Sequence, residues 1–151
     1  MEVKKVKRFV SFFMVLSLFV ALSIPSVAQQ FEYPDNKNKS FINANQFYEQ
    51  LKKNEFKEYK NATFSMRQKI SYKEVPDVIM TFEKKTGSYS CQPQPKENLS
   101  ASIHPERQVY FFASFVQTKD KEYWKHTIID AETKRKIGGG NAYHNYENPY
   151  R

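Results

Sequence analysis

Between Arg107 and Gln117 the chain sets Val109, Phe111, Ala113 and Phe115 on one side of an extended strand and Tyr110, Phe112, Ser114 and Val116 on the other. Both faces are largely apolar, a pattern that suits a strand inside a sheet rather than at its edge. Any fold for this chain must be organised around that strand.

The flanking segments supply it with partners. From Ala62 to Tyr72 the residues Phe64, Met66, Ile70 and Tyr72 alternate with Ser65, Arg67, Lys69 and Ser71, the period-two pattern of a half-buried strand. Beyond Pro76, the alternation of Val78, Met80 and Phe82 with Ile79, Thr81 and Glu83 predicts another strand. A turn over Lys84 to Gly87 and a return strand over Ser88 to Cys91 complete a hairpin. Cys91 to Glu106, with Pro93, Pro95 and Pro105, reads as a loop. After the central strand, Thr118 to Lys121 turns the chain into Glu122 to Asp130, with Trp124, His126 and Ile128 on one face. Ala131 to Lys134 turns it again into a last strand through Ile137.

One helix precedes the sheet. Asn43 or Asn45 can cap it, Phe47, Tyr48 and Leu51 share a face, and Glu49, Lys52 and Lys53 face water. The expected class is α+β: one short N-terminal helix packed on an antiparallel meander of about five strands, in two layers.

The first residues have the layout of a cleavable export signal. Lys4, Lys5, Lys7 and Arg8 precede an apolar stretch from Phe9 to Ile24, Pro25 breaks it, and Ser26-Val27-Ala28 places small residues at the cleavage positions. The apolar run is short of the roughly 20 residues that span a bilayer. The expected organisation is a signal peptide over 1–28, a flexible lead-in over 29–42 and a single α+β domain over 43–151 ending in an aromatic tail. Such a protein is secreted or wall-associated, and with Cys91 as its one cysteine it forms no internal disulfide, a habit more typical of Gram-positive exported proteins. Removing four bases and one acid with the signal lowers the net charge from +8 to +5. The lysines and arginines are spread along the chain among acids, which favours solubility over a nucleic-acid stripe.

Chemistry-bearing residues are sparse. His104, His126 and His144 each stand apart from any Cys, His or carboxylate at metal-ligand spacing, so no metal or cofactor is implied. With Glu106 and Arg107 they supply the residue types of a ribonuclease but not a recognisable spacing. The glycines Gly138 to Gly140 follow the last expected strand with no helix after them, which argues against a phosphate loop and for a strand end that bends or admits another backbone. In the tail, Tyr143, His144, Tyr146, Tyr150 and Arg151 are interleaved with asparagines. A segment this aromatic either packs along the sheet edge or forms a contact surface, and these five residues are the candidate binding set.

The run Tyr123 to Ile137 resembles the closing hairpin of PepSY-type modules, in which an alternating strand runs into D-A-x-T-G-x-V. Asp130, Ala131 and Thr133 match that pattern, whereas Lys134 replaces its glycine and Lys136 its apolar residue. The resemblance covers about 30 residues and implies an exported envelope module that binds or restrains a protease or another protein without catalysis. The expected function is therefore a non-enzymatic exported module that binds a protein or a cell-envelope polymer, with no specific nucleic acid and no membrane span after signal cleavage. The alternative is a small secreted hydrolase such as a ribonuclease.

Overall fold

The computed structural model describes residues 30–87 and 99–146. The expected signal peptide, Cys91, the expected return strand Ser88 to Cys91, and Tyr150 and Arg151 lie outside the described residues. The elements run α1 (Ala44–Gln50), β1 (Phe64–Ser71), a 3-10 turn (Tyr72–Glu74), α2 (Val75–Thr86), β2 (Gln108–Gln117), β3 (Lys121–Asp130) and β4 (Lys136–Asn145). The strands form one antiparallel sheet in the order β1-β2-β3-β4, so the chain is α+β and β2 is internal.

The sheet is covered on both faces, because β2 is apolar on both. Val109, Phe111, Ala113 and Phe115 meet Val75, Ile79 and Phe82 of α2, whereas Tyr110 and Phe112 meet Phe47 and Phe56 on the α1 side. Among the described residues, three layers replace the two expected, and the sheet has four strands where about five were expected.

The difference lies in Val75–Thr86, which is a helix and not the first strand of a hairpin. Val75, Ile79 and Phe82 recur at helical spacing and are buried, while Met80, on the apolar side of the alternating pattern, is 51% exposed. Pro76 sits in the first turn, where its missing N–H is no loss. Ahead of it, the Ser71 backbone N–H and hydroxyl both donate to the Glu74 carboxylate, at 2.7 and 2.6 Å. Lys84 and Lys85 occupy the last turn and Gly87 ends the helix at φ 63°. In α1, Asn43 accepts from the Gln46 N–H at 3.0 Å and Gln46 accepts in return from the Asn43 N–H at 3.2 Å.

Residues 31–42, expected as a flexible lead-in, are instead held to the domain. Asn36 is 3% exposed and accepts from the Gln108 N–H at 2.7 Å. Arg107 donates to the Pro34 carbonyl at 2.8 Å, and the Tyr110 hydroxyl to the Ile42 carbonyl at 2.9 Å. Lys39 pairs with Glu132. These partners lie far along the chain, where local composition gives no sign of them.

Candidate functional site

The last strand is longer than expected. β4 does not end near Ile137 but continues to Asn145, so Gly138 to Gly140 lie inside it and Tyr143 and His144 belong to its outer half. The glycines are there because neighbouring groups occupy the space of their missing side chains. A Cβ on Gly139, whose φ is 150°, would stand 2.7 Å from the His126 carbonyl oxygen; one on Gly138 would meet Ile128 Cδ1 at 3.0 Å, and one on Gly140 would meet His126 Cε1 at 3.2 Å. Thinned in this way, the edge of the sheet carries a cleft on each face.

The cleft on the α2 face has a volume of about 490 Å³ and is walled by Tyr72, Val75, Ile79, Trp124, His126 and Ile137. The Trp124 and His126 rings lie 3° from parallel with centroids 5.1 Å apart, and His126 continues the stack onto Phe111 at 5.6 Å. Among the described residues neither Trp124 Nε1 nor His126 Nδ1 has a hydrogen-bond partner. Burial, reinforced by the charge of Lys136, pushes the His126 imidazole down to about 4, so it is neutral at ordinary pH.

The cleft on the α1 face is basic, with a volume of about 530 Å³. Lys53 and Lys57 come from the segment after α1, Lys125 from β3 and Lys136 from β4. That segment is fixed by the Tyr59 N–H donating to Ser114 Oγ at 3.0 Å and the Glu58 N–H donating to the Tyr48 hydroxyl at 3.2 Å. Glu58 is turned away, its carboxylate 2.6 Å from Arg67 Nε. Lys125 Nζ lies 4.1 Å from the centre of the Tyr59 ring. Burial and the nearby Lys57 lower the Lys125 ammonium from its ordinary value. Tyr59 is followed by Tyr123 at 6.4 Å and Tyr123 by Tyr143 at 6.1 Å, a row of rings leading from the cleft to the free edge. Tyr143 is 70% exposed.

The sequence-derived candidates are therefore dispersed. Tyr143 faces the α1 side, while His144 faces the α2 side opposite Glu122. Glu122 is 1% exposed and accepts from the Tyr146 hydroxyl at 2.7 Å. His104 lies in the loop before β2, where its Nδ1 accepts from the Glu106 N–H at 3.1 Å. Arg107 is taken up structurally, in a buried pair with Asp130 at 2.6 Å. The three histidines do not converge on one cleft. Sequence reasoning missed the lysine cleft because its members come from three separate segments. Among the described residues, no group of three His, Cys, Asp or Glu side chains could hold a metal ion. Compared with family models, with curated proteins and with solved structures, the chain matches none.

Proposed function

We propose that the chain is an exported, non-catalytic module that binds a protein or a cell-envelope polymer, and that it does so through the outer edge of its sheet. The observation that carries this reading is the row Tyr59, Tyr123 and Tyr143 along the α1 face, ending in a ring that is 70% exposed on the edge strand. Exposed tyrosines of this kind supply large contact area and a polar tip at little cost in conformational entropy.

The histidines speak against the hydrolase alternative. His126 is a neutral imidazole packed between Trp124 and Phe111, too weakly basic to accept a proton near neutrality. His104 and His144 lie on different parts of the fold, so no two of the histidines pair as general acid and general base. Among the described residues no helix is long and apolar enough to cross a membrane.

The test is capture of partners from the host's envelope and culture fluid by residues 29–151 at low and high salt, beside the Tyr143→Ser variant. Retention of one partner at high salt, lost in the variant, supports the reading. A ribonuclease activity that disappears on His144→Ala would replace it.

A further inference from the structure

Four lysines converge on the α1-face cleft with a single carboxylate, Glu55, in its lining. Among the described residues, Lys53, Lys57, Lys125 and Lys136 form no ion pair, whereas Lys37, Lys39 and Lys73 each pair with an acid. Gathering like charges without partners is a standing cost: two unit charges 4 Å apart repel by about 1 kcal/mol even in bulk water, and by more where water is partly excluded. The fold nonetheless positions two of them. Lys125 is seated over the Tyr59 ring, and the stem of Lys136 lies across Gly139, its Cε 3.2 Å from where a glycine Cβ would stand. A bound polyanion would relieve the repulsion.

We propose that this cleft binds a phosphate-bearing polyanion that carries no nucleobases, a polyphosphate or polyol-phosphate chain, with several phosphates bridging Lys53, Lys57, Lys125 and Lys136. The inference deepens the binding-module reading by naming the ligand chemistry, and it rests on that reading. Compact ammonium groups on flexible stems suit phosphate oxygens as point charges. The rings in the cleft argue against nucleic acid. A single strand is held by a charged groove together with bases stacking on aromatic faces, and inside this cleft the rings are already engaged: the Lys125 ammonium lies 4.1 Å from the Tyr59 ring centre and 5.6 Å from that of Phe56, and Tyr123 flanks Tyr59. Tyr143, the exposed ring of the row, lies outside the cleft lining, so what the cleft itself offers is charge.

The experiment is a titration of the purified protein with short-chain inorganic polyphosphate at several salt concentrations, beside oligo(dT) and poly-glutamate of matched charge. Polyphosphate binding is expected to weaken with a log–log salt slope of about −2 to −3, as three or four contacts imply. The doubly substituted Lys57→Gln/Lys125→Gln protein should bind at least tenfold more weakly with a shallower slope, and so should Lys53→Gln/Lys57→Gln, whose side chains are exposed. Lys84→Gln/Lys85→Gln on α2 removes the same charge and should bind as the parent does. The inference is overturned if polyphosphate does not bind at low salt, if poly-glutamate binds as tightly, if oligo(dT) binds more tightly, or if the α2 pair costs as much as the cleft pairs. If polyphosphate fails while a partner dependent on Tyr143 is still captured, only the ligand chemistry is wrong; if both fail, so does the binding-module reading.

Discussion

Arg107 and Asp130 face each other across the start of β2 and the end of β3 in a bidentate pair, Nε to Oδ2 at 2.6 Å and Nη2 to Oδ1 at 2.9 Å, with the Asp130 side chain fully buried. Burial alone would raise the Asp130 carboxyl, but hydrogen bonds from Arg107 and from the Thr133 backbone outweigh it and hold it below its usual range. The same guanidinium also contacts Glu132 and the Pro34 carbonyl. Removing it leaves a buried carboxylate without its partner, so Arg107→Met should cost about 3–5 kcal/mol in chemical denaturation. It should also expose residues 31–42 to proteolysis before the sheet is cut.

Stability should depend on pH through His126. The free imidazole titrates near 6.5 and the folded one near 4. Between those values the unfolded chain takes up a proton that the folded chain refuses. This contribution is therefore fully present above pH 6.5 and is lost progressively as the pH falls toward 4, by up to about 3 kcal/mol. In urea melts across that range His126→Phe should flatten the slope whatever its effect at neutrality; an unchanged slope would show that the imidazole protonates while folded.

The glycines of β4 should differ in their tolerance. Gly139→Ala forces a Cβ against the His126 carbonyl oxygen at a φ that side chains rarely adopt, and should cost more than about 2 kcal/mol. Gly140→Ala presses only on the imidazole edge and should cost less. Gly87→Ala meets nothing at all, so it should lose about 1 kcal/mol from its left-handed φ alone. Thermal melts of the three proteins give the order directly.

Lys134 takes φ 61° in the β3–β4 turn, where the PepSY-type pattern has glycine. The strain of about 1–2 kcal/mol is offset by its ammonium lying 4.8 Å from the Phe47 ring centre and 5.3 Å from that of Tyr110, contacts worth about 0.5–1 kcal/mol each at partly exposed sites. Lys134→Gly relieves the strain and loses the contacts, so it should fall within about 1 kcal/mol of the parent. Lys134→Ala keeps the strain and loses the contacts, and should be the less stable of the two.

Those residues also show what the sequence made legible. The alternation in β1, β2 and β3 marked the sheet because burial there follows a period of two, and Asn43 with Phe47 marked α1. The α2 segment fits two periods at once, since Phe82 belongs both to the set Val78, Met80, Phe82 and to the set Val75, Ile79, Phe82. Pro76, the Ser71 and Glu74 cap, and Gly87 decide for the helix. The outer half of β4 is hidden in the sequence because three glycines carry little strand preference; their reason lies in His126 and Ile128 on the adjacent strand. The clasp on residues 31–42 and the lysine cleft depend on pairings across the fold, such as Asn36 with Gln108 and Lys57 with Lys125, which no local pattern contains.

The most direct test of the binding-module reading is capture of partners from the host envelope by residues 29–151, compared at high salt with Tyr143→Ser. A partner retained by the parent and lost from the variant, with both proteins equally folded, is the expected result. Equal capture by both proteins, or no partner from either, would contradict a contact surface at the outer edge of β4.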